Sequence, residues 1–174
     1  MRNTINKNRG FTLLELLVGL ILSAIIVAIA ANGVARAFSS NESTTEARNI
    51  NEMMANLQGL KGPDGYTTVT LPLLASVQGI PANMKNHKTG TGVINSWNGA
   101  VTISGNATAF TLRYAAVPKA ACITIATRVA EAGTWSVHSG ATAITTAATA
   151  QSSCSSDIAN TLSFTYNATA PVAG

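Results

Sequence analysis

The stretch FTLLELLVGLILSAIIVAIAA, Phe11 to Ala31, decides how the rest of the chain is read. As a helix rising about 1.5 Å per residue it would reach about 31 Å, the thickness of a bilayer's hydrocarbon core. The ten residues before it, MRNTINKNRG, carry Arg2, Lys7 and Arg9 and no acid. Basic residues in that place hold an N-terminus in the cytoplasm, which would put everything after residue 32 outside. Inside the apolar run stands one carboxylate, Glu15. A charge there costs on the order of 2.5–3.5 kcal/mol on insertion scales.

That cost separates three readings of the segment. An ordinary secretory signal peptide, with Ala28-Ile29-Ala30 as its cleavage site, has no use for the acid. Neither has a plain single-pass anchor. A subunit that bundles its apolar helix with copies of itself does.

The run Lys7-Asn8-Arg9-Gly10-Phe11-Thr12-Leu13-Leu14-Glu15 resembles the leader of type IV prepilins and pseudopilins: basic residues, Gly, then Phe-Thr-Leu-x-Glu opening an apolar helix. The resemblance implies that a membrane prepilin peptidase cuts between Gly10 and Phe11 and that Phe11 is N-methylated. It further implies that Glu15 and Phe11 carry assembly into a helical homopolymer through the inner-membrane pilus machinery. Cleavage frees the Phe11 amine, a buried cation tolerable only when paired, and Glu15 can neutralise it on an adjacent subunit or within one chain, since i, i+4 groups meet on a helix. The expected function is a structural pilus subunit for adhesion or cell–cell contact. A minor pilin or a secretion pseudopilin is the nearest alternative, and a membrane-tethered adhesin or enzyme that never polymerises is the alternative from another class. The chain would sit first in the inner membrane and then in an extracellular filament.

Composition agrees with an exported structural protein. Charged residues make up only 10% of the 174 residues, and Ala, Thr, Ser and Gly abound. Of eleven Lys and Arg, three lie in residues 1–10, which leaves eight against seven acids in the body. No basic face for nucleic acid results. His87 and His138 stand apart, without zinc spacing, and no phosphate loop, nucleophile elbow or calcium loop occurs, so no catalytic residue, cofactor or metal is expected. Cys122 and Cys154, 32 residues apart, fit no metal knuckle. In an exported chain they read as one disulfide, the alternative being two buried thiols.

Four segments follow: a leader over 1–10, an apolar helix over 11–33, an amphipathic continuation over 34–60, and a globular head over 61–174. Ile50, Met53, Met54 and Leu57 fall on one helical face. The stretch 39–46 is polar enough for a loop, with Ser43 and Glu46 able to form a capping box, but the reading is one long helix, bent there at most, which Gly59, Gly62 and Pro63 end near Gln58. Residues 61–92 read as mostly surface. Val93–Trp97 and Ala100–Ile103 flank Asn98-Gly99 as a hairpin, with Gly105-Asn106 turning into a strand over Phe110–Tyr114. Pro118 opens a helix over Lys119–Glu131, with Gly133 past its end. Residues 139–156 show no periodicity and read as irregular surface, and Thr161–Tyr166 alternates as a last strand. The fold class is α+β, a long helix against an antiparallel sheet. The Trp97-Asn98-Gly99 turn, the Tyr114, Pro118 and Ala121-Cys122 run, and a second cysteine before the last strand resemble type IVb pilins, including those of conjugative-plasmid thin pili. The short leader and Phe11 are in the manner of type IVa.

Overall fold

The structure, a computed structural model, describes residues 12–133 and 135–168, and for residues 29 and 31–39 the backbone only. The chain divides into two compact units at Ser39/Ser40. Helix α1 (Leu13–Gln58) contributes to both. It is unbroken to Gln58, one long helix as the sequence predicts. Packing explains why: Ser43, Glu46, Ala47 and Asn49 are buried, and the Arg128 guanidinium donates to Thr44 Oγ1 at 2.9 Å. Weak helix formers are held helical by what they touch rather than by propensity.

In the second unit the elements run α2 (Leu71–Ser76), β1 (Val101–Gly105), β2 (Ala109–Val117), α3 (Lys119–Glu131), β3 (Ser136–Ser139), β4 (Thr142–Ile144), α4 (Ala147–Ser153) and β5 (Asn160–Asn167). The sheet is antiparallel throughout, in the order β1-β2-β5-β3-β4. The last strand in sequence is therefore central. Register places Phe110 opposite Tyr166, Leu112 opposite Phe164 and Tyr114 opposite Leu162. Because side chains alternate along a strand, these point to one face. There they form a single core with Ile50, Met53, Met54 and Leu57 of α1, all four without solvent exposure. Alternate positions carry Thr111 and Thr165, whose hydroxyls meet at 2.9 Å.

Two expectations for the head need correction. Val93–Trp97 is not a strand, and the Asn98-Gly99 turn does not close a regular hairpin. Only the isolated bridge between Ile94 and Ala100 pairs the two limbs. The reason is Asn95, a buried side chain that takes over the ladder's work. Its Oδ1 accepts from the amides of Trp97 at 3.0 Å and Gly99 at 2.8 Å, and its Nδ2 donates to the Ala115 carbonyl at 2.8 Å. Asn98 is left-handed at φ 59°. Gly99 is needed for closeness: a Cβ there would meet the Ala115 carbonyl oxygen at 1.8 Å.

Residues 139–156 are not irregular either. They hold the end of β3, β4 and α4, and α4 begins with a capping box between Thr146 and Thr149. Residues 61–92 are mostly exposed, as expected, while Tyr66, Val69, Leu74, Ile80 and Met84 reach into the core. The helix over Lys119–Glu131 forms as expected after Pro118. Cys122 on α3 is bonded to Cys154, the residue capping α4, across 5.9 Å between Cα atoms, and both are fully buried. Closing a 32-residue loop stabilises the fold by about 3–4 kcal/mol in the chain-entropy model. Reducing the bond should therefore lower the unfolding free energy by about that amount, read as a shift in urea midpoint with and without reductant. An unchanged midpoint would show that the bond contributes nothing.

Candidate functional site

The first unit is a helix with apolar side chains on every side. Leu13, Leu14, Leu16, Leu20, Ile26 and Val27 keep 60% to 83% of their surface exposed in the single chain. Eleven large apolar side chains from Leu13 to Val27 are about half exposed or more. Burying what remains, at roughly 1 kcal/mol each, is worth on the order of 10 kcal/mol per subunit. Among the described residues no helix is long and apolar enough to cross a membrane; the apolar run of the sequence, 11–31, extends past the described side chains at both ends.

Gly10 and Phe11 lie outside the described residues. Glu15 is described, and it has a partner that the sequence reading missed. Its carboxylate accepts from the Thr12 amide at 3.4 Å, and its own amide donates to Thr12 Oγ1 at 3.3 Å. This reciprocal capping box satisfies two of the helix's first amides and places a negative group where the helix dipole favours one. The Thr-x-x-Glu spacing at 12–15 was the available signal.

In the second unit the sequence reading also misassigned Glu46. It caps nothing. The side chain is 1% exposed, and its Oε1 accepts from the amide and hydroxyl of Ser96 at 2.8 and 2.6 Å. Oε2 accepts from Asn49 at 3.2 Å. The Tyr114 hydroxyl lies nearby, donating to Met53 Sδ and Met84 Sδ at 3.7 Å, with its pKa pushed well above the usual 10.0 by burial first and then by the charge of Glu46. The carboxylate thus ties α1 to the loop before β1, and the Tyr114 hydroxyl ties α1 to the middle of β2. His87 and His138 are not brought together: the His87 Nδ1 meets the Met84 carbonyl at 2.9 Å, and His138 lies on β3. Among the described residues no group of three or more His, Cys, Asp and Glu could hold a metal.

The family profile described as PilS N terminal matches residues 40–167. The chain belongs to the PilS family. A second profile, the prokaryotic N-terminal methylation motif, matches residues 5–31, which decides among the three readings of the N-terminal segment in favour of the prepilin. The crystal structure of a type IVb pilin from Salmonella typhi is similar at 26% identity and a TM-score of 0.60, over 71% of this chain and 99% of that one. An NMR structure of the Salmonella typhi type IVb pilin PilS matches at 24% identity, with a TM-score of 0.48 over 72% of this chain and 96% of that one. TcpA, a type IV pilin of Vibrio cholerae El Tor, matches at 18% identity, with a TM-score of 0.46 over 73% of this chain and 99% of that one. None of the curated protein sequences compared with the chain matches it.

This PilS-family chain is a structural subunit of a type IV pilus, not an enzyme, with the α+β pilin fold. It carries a prepilin motif, is membrane-anchored before assembly, and polymerises into filaments. The body matches type IVb pilins, as the Tyr114, Pro118 and Cys122 pattern implied, while the short leader and Phe11 were read as type IVa in manner.

The Tyr114 cluster predicts a pH response. The folded state holds the Tyr114 proton above pH 10.0, where the unfolded chain releases it. The unfolded state is thus favoured by ionisation as pH rises from about 10 through the folded pKa, and stability falls in that window. Tyr114→Phe should flatten this alkaline loss relative to the parent in pH-dependent urea unfolding; equal slopes would remove the assignment.

Proposed function

We propose that maturation cuts the chain between Gly10 and Phe11, that Phe11 is N-methylated, and that Glu15 then neutralises the Phe11 amine when apolar helices bundle. The prepilin would enter the inner membrane with its N-terminus in the cytoplasm, be cut by the prepilin peptidase, and be raised by the pilus assembly machinery into an extracellular filament for adhesion or cell–cell contact. The observation that carries this reading is Glu15 itself. It is the sole charged residue from Thr12 to Ala35, and it is exposed in the first turn of a helix whose large side chains are apolar all round.

Among the described residues the carboxylate is engaged only by a long bond from the Thr12 amide, at 3.4 Å. The α-amine of a chain starting at Phe11 stands one residue away along the backbone, so a neighbour's Glu15 and this amine meet only at one axial offset. An unpaired charge of either kind in a packed apolar bundle costs several kcal/mol. The pairing therefore favours one register over slipped ones.

Glu15→Ala should leave cleavage and methylation intact, and the Thr12 hydroxyl still caps the helix. Filament yield in a sheared surface fraction should fall by at least about tenfold, the equivalent of one lost interaction of about 1.4 kcal/mol. Mass spectrometry of the N-terminal peptide should find methylated Phe11 in parent and variant alike. Normal filament yield from Glu15→Ala would remove the role assigned to the carboxylate, and a mature chain beginning at Asn32 or Met1 would overturn the processing scheme.

A further inference from the structure

Helix α2 ends in a turn that ordinarily calls for glycine. The Gln78 amide donates to the Ala75 carbonyl and the Gly79 amide to the Leu74 carbonyl, both at 2.9 Å, the paired bonds of a Schellman motif. Gly79 is fixed by space, since a Cβ there would meet Leu74 Cδ1 at 2.5 Å. The left-handed position itself is held by Gln78, at φ 57°. Glycine would adopt that conformation without crowding its own backbone, so a long side chain sits there at a conformational cost. Strain of this kind is a reason to look for function.

The Gln78 side chain lines a groove of about 630 Å³, within the size range of small-molecule sites. Around it stand Glu52 of α1, Ser76 at the end of α2, and His87 and Lys88, with Ile80 contributing apolar surface. The polar heads of Glu52, Gln78 and Lys88 have no partner among the described residues. His87 is fixed: a carbonyl only accepts, so the Nδ1 facing the Met84 oxygen carries the proton, and Nε2 is left as an acceptor.

We propose that this groove binds an N-acetylated sugar acid. Lys88 supplies a charge-assisted donor for a carboxylate. The Gln78 amide, at once donor and acceptor, matches the two ends of an acetamido group. Ile80 offers apolar surface for the acetyl methyl, and Glu52, Ser76 and the His87 Nε2 accept from or donate to sugar hydroxyls. A ligand with the acid but no acetamido group leaves Gln78 unmatched, and one with the acetamido group but no acid leaves Lys88 unmatched.

The test uses purified filaments of the full mature chain and saturation-transfer NMR with three probes: N-acetylneuraminic acid, N-acetylglucosamine and glucuronic acid. N-acetylneuraminic acid should bind saturably, with Kd on the order of 1 mM. The other two should bind at least about tenfold more weakly, the size of one lost hydrogen bond to a charged or buried partner. Gln78→Gly should weaken binding by about the same factor, while the Tm of the detergent-dispersed chain stays level or rises, because the turn is relieved. Lys88→Gln should weaken binding of N-acetylneuraminic acid and glucuronic acid and leave that of N-acetylglucosamine unchanged. Absence of transfer from any probe, equal binding of all three, or undiminished binding by Gln78→Gly would overturn the proposal. A lower Tm for Gln78→Gly would overturn the strain argument behind it.

Discussion

Water cannot solvate a helix whose side chains are apolar on every side without ordering itself around hundreds of square ångströms of hydrocarbon, and among the described residues nothing covers 13 to 27. Their cover has to come from outside, first from lipid and then from the same helix in other subunits. That requirement explains why charge is excluded for some twenty residues and why the one exception sits in the first turn. It also explains why the capping group is a carboxylate: Thr12 alone would satisfy an amide, but only Glu15 adds a formal negative charge at the end where the helix dipole is positive.

The second unit solves the opposite problem. Here α1 has a one-sided apolar stripe, and the sheet offers a matching face in Phe110, Leu112, Tyr114, Leu162 and Phe164. The pairing of stripe and face is non-directional and would tolerate small slips. Glu46 supplies direction. A buried carboxylate with three donors from Ser96 and Asn49 is costly if any contact is lost, and the Tyr114 hydroxyl adds a bond from β2 to Met53 Sδ of the same helix. The helix is therefore fixed at one height against the loop and β2. Asn95 and Asn160 play a similar part around the β2 bulge at left-handed Ala116. Asn95 holds the Ala115 carbonyl at 2.8 Å, and Asn160 the Val117 carbonyl at 3.0 Å.

Where local pattern and tertiary packing agreed, the sequence was readable. The end of α1 at Gln58, α3 over Lys119–Glu131 and β5 around Thr161–Tyr166 all have a clear period and a stop signal. The Ile50, Met53, Met54 and Leu57 face was legible for the same reason. What escaped was carried by polar side chains acting on the backbone. Asn95 does the work of a missing strand, which no alternation of apolar residues announces. Thr146 and Thr149 start α4 inside a tract so uniform in Ser, Thr and Ala that its capping spacing did not stand out. Glu46 looked like a cap because Ser43-x-x-Glu46 has the cap's spacing, whereas its partner Ser96 is fifty residues away. At the N-terminus the same spacing, Thr12-x-x-Glu15, was a true cap, hidden behind the acid's interest as a charge.

Strand order has a consequence for how the head comes into being. The β1–β2 pair and the β3–β4 pair touch in the sheet only through β5, which follows both of them in the chain. Until residues 160–167 are in place the two hairpins have no common seam, and the apolar face meant for α1 is split. A head still tethered in transit therefore stays open along its middle, vulnerable to proteases and to strand exchange with a neighbour. It becomes resistant in one step when β5 slots in.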